Sequence, residues 1–450
     1  MRLPTPRPAA LLVTAVLLAT APGGTAAADV AAPPAAAPDG SAAGVVAELP
    51  AQVQDDLTAG AAERLDGSAA GAGPVATVAV ATTREDGRME VSTVDVRAAA
   101  APGVVDVLED LPSVRAASVD GVVTAFDETP SPLARIGSLA ASADPLRREQ
   151  WGLGAVGAEA LRSRATGVPV VAVLDSGVDG GHEDLRGVVL RGTDLVTPGG
   201  DGWADANGHG THVAGTVSAT VGNGLGGEGV VVAQILPVRV LDGSGTGSTS
   251  SIAKGVVWAA DAGADVVNLS LGTTASDPVV EQALAYAVRR GVVLVAAMGN
   301  QGLTGSPVSY PAASPDVLAV AALTPDLERA DYSSQGAHAD LAAPGSEVLS
   351  TWRGNGYRYA SGTSMAAPHV AAAAAALVAS SPRATPQQVA DALVATADDL
   401  GAPGHDVATG YGLVDPTQAL AVLRARVAGS PTSSQCLAST APLAVAQHHR

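Results

Sequence analysis

The stretch VPVVAVLDSGVD, Val168–Asp179, is an apolar run that stops abruptly at a carboxylate followed by Ser176 and Gly177. A run this apolar, too short for a buried helix and closed by a sharp turn, predicts a strand over Val168–Leu174 that is covered on both faces. The same texture recurs downstream. Strands are predicted at Ile235–Leu241, Val266–Leu269, Val292–Ala297 and Val317–Ala321. Amphipathic stretches alternate with them near Gly210–Ser218, Thr249–Ala262, Pro278–Arg290 and, after a hairpin-like stretch, Ser364–Ser380. That alternation reads as an α/β fold, a mostly parallel central sheet between two layers of helices, over residues 150–426. Ligands of such sheets bind beyond the carboxyl ends of the strands, which puts Asp175 in a place of interest.

Upstream the texture differs. Residues 51–127 carry alternating strands at Val75–Thr82 and Glu90–Val96, a helix at Pro102–Glu109 and a strand at Val114–Val119, a small α+β unit. Residues 128–149 form a Pro/Ser/Ala-rich linker without sustained periodicity, open to proteolysis. At the N-terminus Arg2 and Arg7 precede the apolar run Ala9–Thr20 and a small-residue stretch ending at Ala28, the pattern of a cleaved signal peptide over residues 1–28. An Ala/Pro-rich spacer covers 29–50, and a Ser/Thr/Ala/Pro tail ending in His448 and His449 covers 427–450. These features predict an exported protein without a membrane anchor, a monomer, with a disordered tail.

Composition narrows the function. With 44 acidic against 25 basic side chains the net charge is −19, which repels phosphate and argues against nucleic acid or an anionic membrane as partner. The chain is 47% hydrophobic but only 2% aromatic, so Ala, Val and Leu build its core. The single cysteine, Cys436, forms no internal disulfide, so packing or bound ions supply the stability.

Each chemically suggestive residue is ambiguous alone. Asp175 fits a turn cap as well as a functional carboxylate. In NGHGTHVAGTV, Asn207–Val217, His209 and His212 stand three apart at the opening of a helix, compatible with a metal pair, a structural pair or a positioned base. No Glu-rich or Cys-rich companion supports the metal, and His212 is the one expected to pack. In SGTSMAAPHVAAAAAAL, Ser361–Leu377, Pro368 is tolerated only in the early turns, which fixes the helix start close to Ser364 and surrounds its hydroxyl with free amide donors. A capping serine would look the same.

Together the blocks DSGVD at Asp175–Asp179, NGHGTHVAG at Asn207–Gly215 and GTSMAAPHVA at Gly362–Ala371 resemble the three signature segments of subtilisin-like serine proteases, in the family's order. The resemblance spans roughly 150–426. It implies a three-layer subtilisin-like fold and an endopeptidase with Ser364 as nucleophile, His209 as general base and then acid, and Asp175 orienting His209. In VVLVAAMGNQG, Val292–Gly302, Asn300 resembles the family's oxyanion-hole asparagine, and Met298 stands where the family has a small residue. Protein or peptide substrate is expected as an added strand along Ser270, Leu271 and Gly272 on one side and the Gly243–Gly247 stretch, centred on Gly245, on the other. Ser309 falls near the base of the pocket for the residue before the cleaved bond. No cofactor is implied for catalysis. Asp184, after His182, and the Asn223–Gly229 loop resemble a structural calcium site. The 51–127 unit resembles an inhibitor-like propeptide, cut away between Glu128 and Gln150. The contrasting reading is a catalytically silent member that binds peptides without cleaving them.

Overall fold

The computed structural model describes residues 42–57, 59–65, 68, 73–126, 131–132 and 144–429. The signal-peptide reading, most of the spacer and linker, and the tail with Cys436, His448 and His449 lie outside them.

Seven strands form one parallel sheet in the spatial order Leu341–Pro344, Val317–Leu323, Val293–Ala297, Val266–Leu269, Val170–Asp175, Gln234–Arg239, Thr193–Asp194. The five predicted strands are present within two residues at each end. The sequence reading missed the two edges. Val171–Leu174, Val266–Leu269 and Leu294–Ala297 are all buried, so side chains on both faces of the sheet meet helices. Thr363–Ser380 and His209–Ser218 cover one face, and Thr249–Asp261 with Pro278–Arg289 cover the other.

Thr363–Ser380 is apolar on every side because it is a central helix: Met365–Ala367 and Val370–Leu377 are fully buried. Among the described residues it is the one helix long and apolar enough to cross a membrane, and 83% of it is buried within the fold. Its run of alanines lets the sheet approach closely while each residue costs little helix propensity. Chain order reverses around Val170–Asp175, whose neighbours are the strands that follow at 234 and at 266. Asp175, the last residue of that strand, therefore emerges at the switch point of the sheet.

The N-terminal unit is a three-stranded antiparallel sheet, Met89–Arg97, Val75–Thr83, Val114–Val119, with the helix Ala101–Glu109 on it. Period-two alternation divides its central strand. Val78 and Val80 join Val94, Val104 and Leu108 in a core of their own, while Ala79 and Ala81 face the main core. A helix at Ala42–Glu48 falls within the predicted 29–50 spacer, and two further helices that the sequence reading did not anticipate, Ala51–Asp56 and Ala59–Arg64, open the 51–127 unit; Val45 and Val53 add to that small core.

The alanine face seats the unit on the helices Thr249–Asp261 and Pro278–Arg289. Polar contacts complete the junction. Asp120 accepts hydrogen bonds from the Ser250 amide at 2.8 Å and the Ser250 hydroxyl at 2.7 Å at the first turn of one helix, and Ser118 donates to Asp277 at 3.0 Å at the N-cap of the other.

Candidate functional site

The His209 ring is positioned by the loop before its helix. Gly208 is the N-cap at φ 112°, a left-handed conformation that suits glycine, and a β-carbon there would lie 2.3 Å from the Trp352 ring. Gly210 lets the helix close on the Asp175 strand, because a β-carbon would lie 2.0 Å from the Gly177 carbonyl. The result is a direct pair: His209 Nδ1 stands 2.7 Å from both carboxylate oxygens of Asp175. Asp175 also accepts the Ser176 amide at 2.7 Å, which fixes the carboxylate plane. Asp175 and Ser364 are fully buried, and His209 is 2% exposed.

Asp205, which the sequence reading passed over, organises this loop. Its carboxylate accepts from the Gly208 amide at 2.7 Å, the Thr211 amide at 3.0 Å, the Thr211 hydroxyl at 2.6 Å and the Ser176 hydroxyl at 3.0 Å. Burial foremost, with the Asp175 charge adding, raises its carboxyl above the usual range. An aspartate four residues ahead of a histidine and followed by Asn-Gly was the visible signal. His212 turns away from the site, as expected. Its Nε2 lies 3.0 Å from the Val348 carbonyl.

Ser364 sits in the first turn of Thr363–Ser380, and Pro368 determines what its backbone does. Proline has no N–H, so the Ser364 carbonyl loses its intrahelical partner and instead accepts the Ser270 hydroxyl at 2.9 Å. In return the Ser364 hydroxyl donates to the Ser270 carbonyl at 3.3 Å. These reciprocal bonds tie the serine to the edge Ser270–Gly272.

Asn300 follows the strand Val293–Ala297. Its Oδ1 accepts the Thr363 amide and hydroxyl, each at 2.9 Å, which directs the Nδ2 group toward Gly362. The point where a β-carbon on Gly362 would lie is 3.0 Å from Asn300 Nδ2 and 3.7 Å from the Ser364 amide. Two donors thus border one space that glycine leaves open, an arrangement able to hold an oxygen anion beside Ser364. Met298 is fully buried and leaves that space alone.

The edge assigned to substrate is occupied by the chain itself. Val122–Ala125, a strand the sequence reading missed, pairs antiparallel with Leu271–Gly272 on one side and Thr246–Ser248 on the other, and the Ala125 amide donates to the Gly245 carbonyl at 2.8 Å. Ser270 is bound to Ser364 instead of this strand.

Near the loop 222–227 two carboxylates converge. Asp144 accepts the Gly222 amide at 2.6 Å and the Gly224 amide at 2.8 Å, while buried Asp184 accepts Asn223 Nδ2 at 2.8 Å and the Gly227 amide at 3.1 Å. Burial foremost, with the charges of Asp144 and Glu183, raises Asp184 to about 6. Among the described residues no Lys or Arg pairs with either, since nearby Arg147 and Arg162 go to Glu228. No group of three or more His, Cys, Asp or Glu side chains is gathered for a metal among those residues. Two uncompensated carboxylates and an asparagine on a carbonyl-rich loop nevertheless suit a hard divalent cation.

Comparison with known proteins agrees with this geometry. Residues 167–412 match the Subtilase family. Subtilisin Savinase of Lederbergia lenta is 45% identical over 254 residues, which are 56% of this chain and 92% of that protein. Alkaline protease of Shouchella clausii is 45% identical over 254 residues, and the matched region spans 65% of it, just under two thirds of its length. Subtilisin E of Bacillus subtilis (strain 168) is 42% identical over 256 residues, 66% of its length. The crystal structure of fervidolysin from Fervidobacterium pennivorans, described as a keratinolytic enzyme related to subtilisin, superposes with a TM-score of 0.65 at 29% identity. That likeness covers 77% of this chain and 61% of the other, so it reaches beyond the segment shared with the sequence relatives. The chain belongs to the subtilase family of serine endopeptidases.

Proposed function

We propose that this protein is an exported serine endopeptidase, made as a precursor, that hydrolyses peptide bonds through an acyl-enzyme on Ser364. The observation that carries the reading is the buried Asp175–His209 pair at 2.7 Å, on an α/β switch point that also holds Ser364 and the Asn300 donor. His209 takes the Ser364 proton as the hydroxyl attacks the substrate carbonyl, and Asp175 holds the ring in the tautomer that can accept it. Asn300 Nδ2 and the Ser364 amide receive the negative charge that develops on the carbonyl oxygen. His209 then protonates the departing amine, and water repeats the sequence to release the acid. The N-terminal unit, with its strand along the substrate edge, holds the precursor inactive until it is removed. The Ala9–Thr20 run behind Arg2 and Arg7 supports export.

A fluorophosphonate tests the reading, because it forms a stable adduct only with an activated serine. Peptide mapping should place one adduct per mature molecule on the Ser364 peptide; an unlabelled protein, or a label elsewhere, would overturn the assignment. Asn300→Ala should lower kcat on the order of 100- to 1000-fold, the range known for subtilisin itself, with KM changed far less.

Asp144, Asp184 and Asn223 would hold a structural calcium ion, which would neutralise the two carboxylates. Chelation should then lower the melting temperature of the wild type and leave that of Asp184→Asn much less affected. The effect depends on pH with a definite sign. The raised Asp184 carboxyl keeps a proton in the folded state between its ordinary value and about 6, so without the ion this group's contribution to stability fades as pH rises through 6. Calcium competes with that proton, so its melting increment should be larger at pH 7.5 than at pH 5. Equal melting curves with and without chelator at both pH values would exclude the site.

A further inference from the structure

Trp203 and Trp352 wall a hollow of about 530 Å³ beside the loop that carries His209. Both rings are seated on glycine. A β-carbon on Gly180 would lie 2.1 Å from the Trp203 ring, and one on Gly208, the N-cap of the His209 helix, would lie 2.3 Å from the Trp352 ring. The Trp203 Nε1 donates to the Leu190 carbonyl at 2.6 Å, which fixes that indole. The walls are thus set in place by the protein itself, and one of them rests on the catalytic loop.

Charge in the hollow is unevenly satisfied. Two carboxylates line it, but both are committed to the chain. Asp205 holds the donors of the His209 loop, and Asp179 accepts the Gly354 amide at 2.7 Å and the Gly181 amide at 3.1 Å. Arg353 and Arg358 line the same space, and among the described residues neither forms an ion pair. Arg358 lies over the Trp352 ring with its Cζ 4.7 Å from the centroid. A guanidinium stacked in this way keeps its in-plane N–H donors available for a carboxylate. Two such arginines, in a chain with 44 acidic side chains to choose from, are placed for an anion that comes from outside it.

A polypeptide already runs past this place. Ser131–Pro132 pairs antiparallel with Gly356–Ala360, the strand that leads into the Ser364 helix, with Ser131 opposite Tyr359 and Pro132 opposite Arg358. Directly opposite residues of an antiparallel pair carry their side chains on one face. A substrate residue in the register position of Pro132 therefore shares the face of Arg358. Arg358 stands six residues before Ser364. An antiparallel substrate strand covers the same span with the same number of residues, so that position lies about six residues beyond the scissile bond.

We propose that this hollow is a remote specificity subsite on the leaving side of a polypeptide substrate. Arg358 and Arg353 take the carboxylate of a Glu or Asp about six residues beyond the scissile bond, and the two indoles cover its apolar stem. The proposal rests on Ser364 cleaving peptide bonds at this site. The contact lies far from the reacting atoms and is made equally in the ground and transition states, so it lowers KM and leaves kcat nearly unchanged.

The test uses internally quenched peptides and the mature protein, with the cut located by mass. One peptide carries Glu at the sixth residue beyond the cut and its partner carries Gln there; further pairs move the exchange to the fifth and seventh residues. Wild type should show a Glu-to-Gln ratio of kcat/KM of about 10 at one of these positions, expressed in KM. The ratio should shrink toward one at about 1 M sodium chloride, where charges are screened within a few ångströms. The double variant Arg353→Gln, Arg358→Gln should lose the preference even at low salt. Because the ratio compares two substrates on one enzyme, it does not depend on how much of the variant is folded. A wild-type ratio near one at all three positions, or a ratio that survives in the double variant, overturns the inference and leaves the nucleophile standing. Failure of the wild type to cleave either peptide would instead overturn the reading beneath it.

Discussion

Ser364→Ala should abolish turnover, lowering kcat on the order of a million-fold, and should leave the precursor uncut. The magnitude is that of subtilisin itself, where loss of the serine leaves only the contribution of binding and of the oxyanion donors. The physical basis lies in how the serine is held. Its carbonyl is freed by Pro368 and pinned by the Ser270 hydroxyl at 2.9 Å, so the residue is anchored by a backbone bond that alanine retains. Only the hydroxyl's 3.3 Å bond to the Ser270 carbonyl is lost, which costs about 1 kcal/mol. The variant should therefore melt within a few degrees of an uncut wild-type precursor, separating lost chemistry from lost fold. A steady-state assay with a chromogenic peptide, paired with calorimetry, checks both. Residual activity within 100-fold of wild type would require a different nucleophile.

Asp175→Asn should lower kcat on the order of 10,000-fold with little change in KM. Asparagine has the size of aspartate, so the strand end, the Ser176 amide bond and the Gly210 approach persist. What changes is the proton. Both Asp175 oxygens lie 2.7 Å from His209 Nδ1 and accept its hydrogen, which makes Nε2 the basic nitrogen of the ring. An amide presents N–H to Nδ1 in one orientation and stabilises the opposite tautomer, and it cannot offset the charge of an imidazolium. The fully buried site has no solvent to substitute for that carboxylate. The pH profile separates this from simple misfolding, since hydroxide replaces the missing base and the variant's activity should climb with pH above the wild-type plateau. A loss below 10-fold would mean that Asp175 is a turn cap.

The central sheet was legible because its strands are long apolar runs whose burial on both faces is written in composition. Leu341–Pro344 and Thr193–Asp194 were not, since the first is an alanine pair between Leu341 and Pro344 without a β-branched residue and the second is only two residues long. The helix Pro386–Ala395 did announce itself through the capping box of Thr385 and Gln388, a signal the sequence reading left unused. Asp175, His209, Ser364 and Asn300 were legible as motifs, and the structure pairs the first two directly and places Asn300 against the Ser364 turn. Asp205 was passed over although its bonds to Gly208 and Thr211 are local, whereas Val122–Phe126 escaped because its partners are far away in sequence. Val122–Ala125 is four residues long, and its conformation is set by pairing with residues 246–248 and 271–272.

The most direct test of the account is to acid-quench the mature protein within the first turnover of a p-nitrophenyl ester and to map the acyl group by mass. An acyl mass on the Ser364 peptide, at one per molecule and with a matching burst of p-nitrophenol, is the predicted result. Turnover without a trapped acyl group, or an acyl group on another residue, would contradict it.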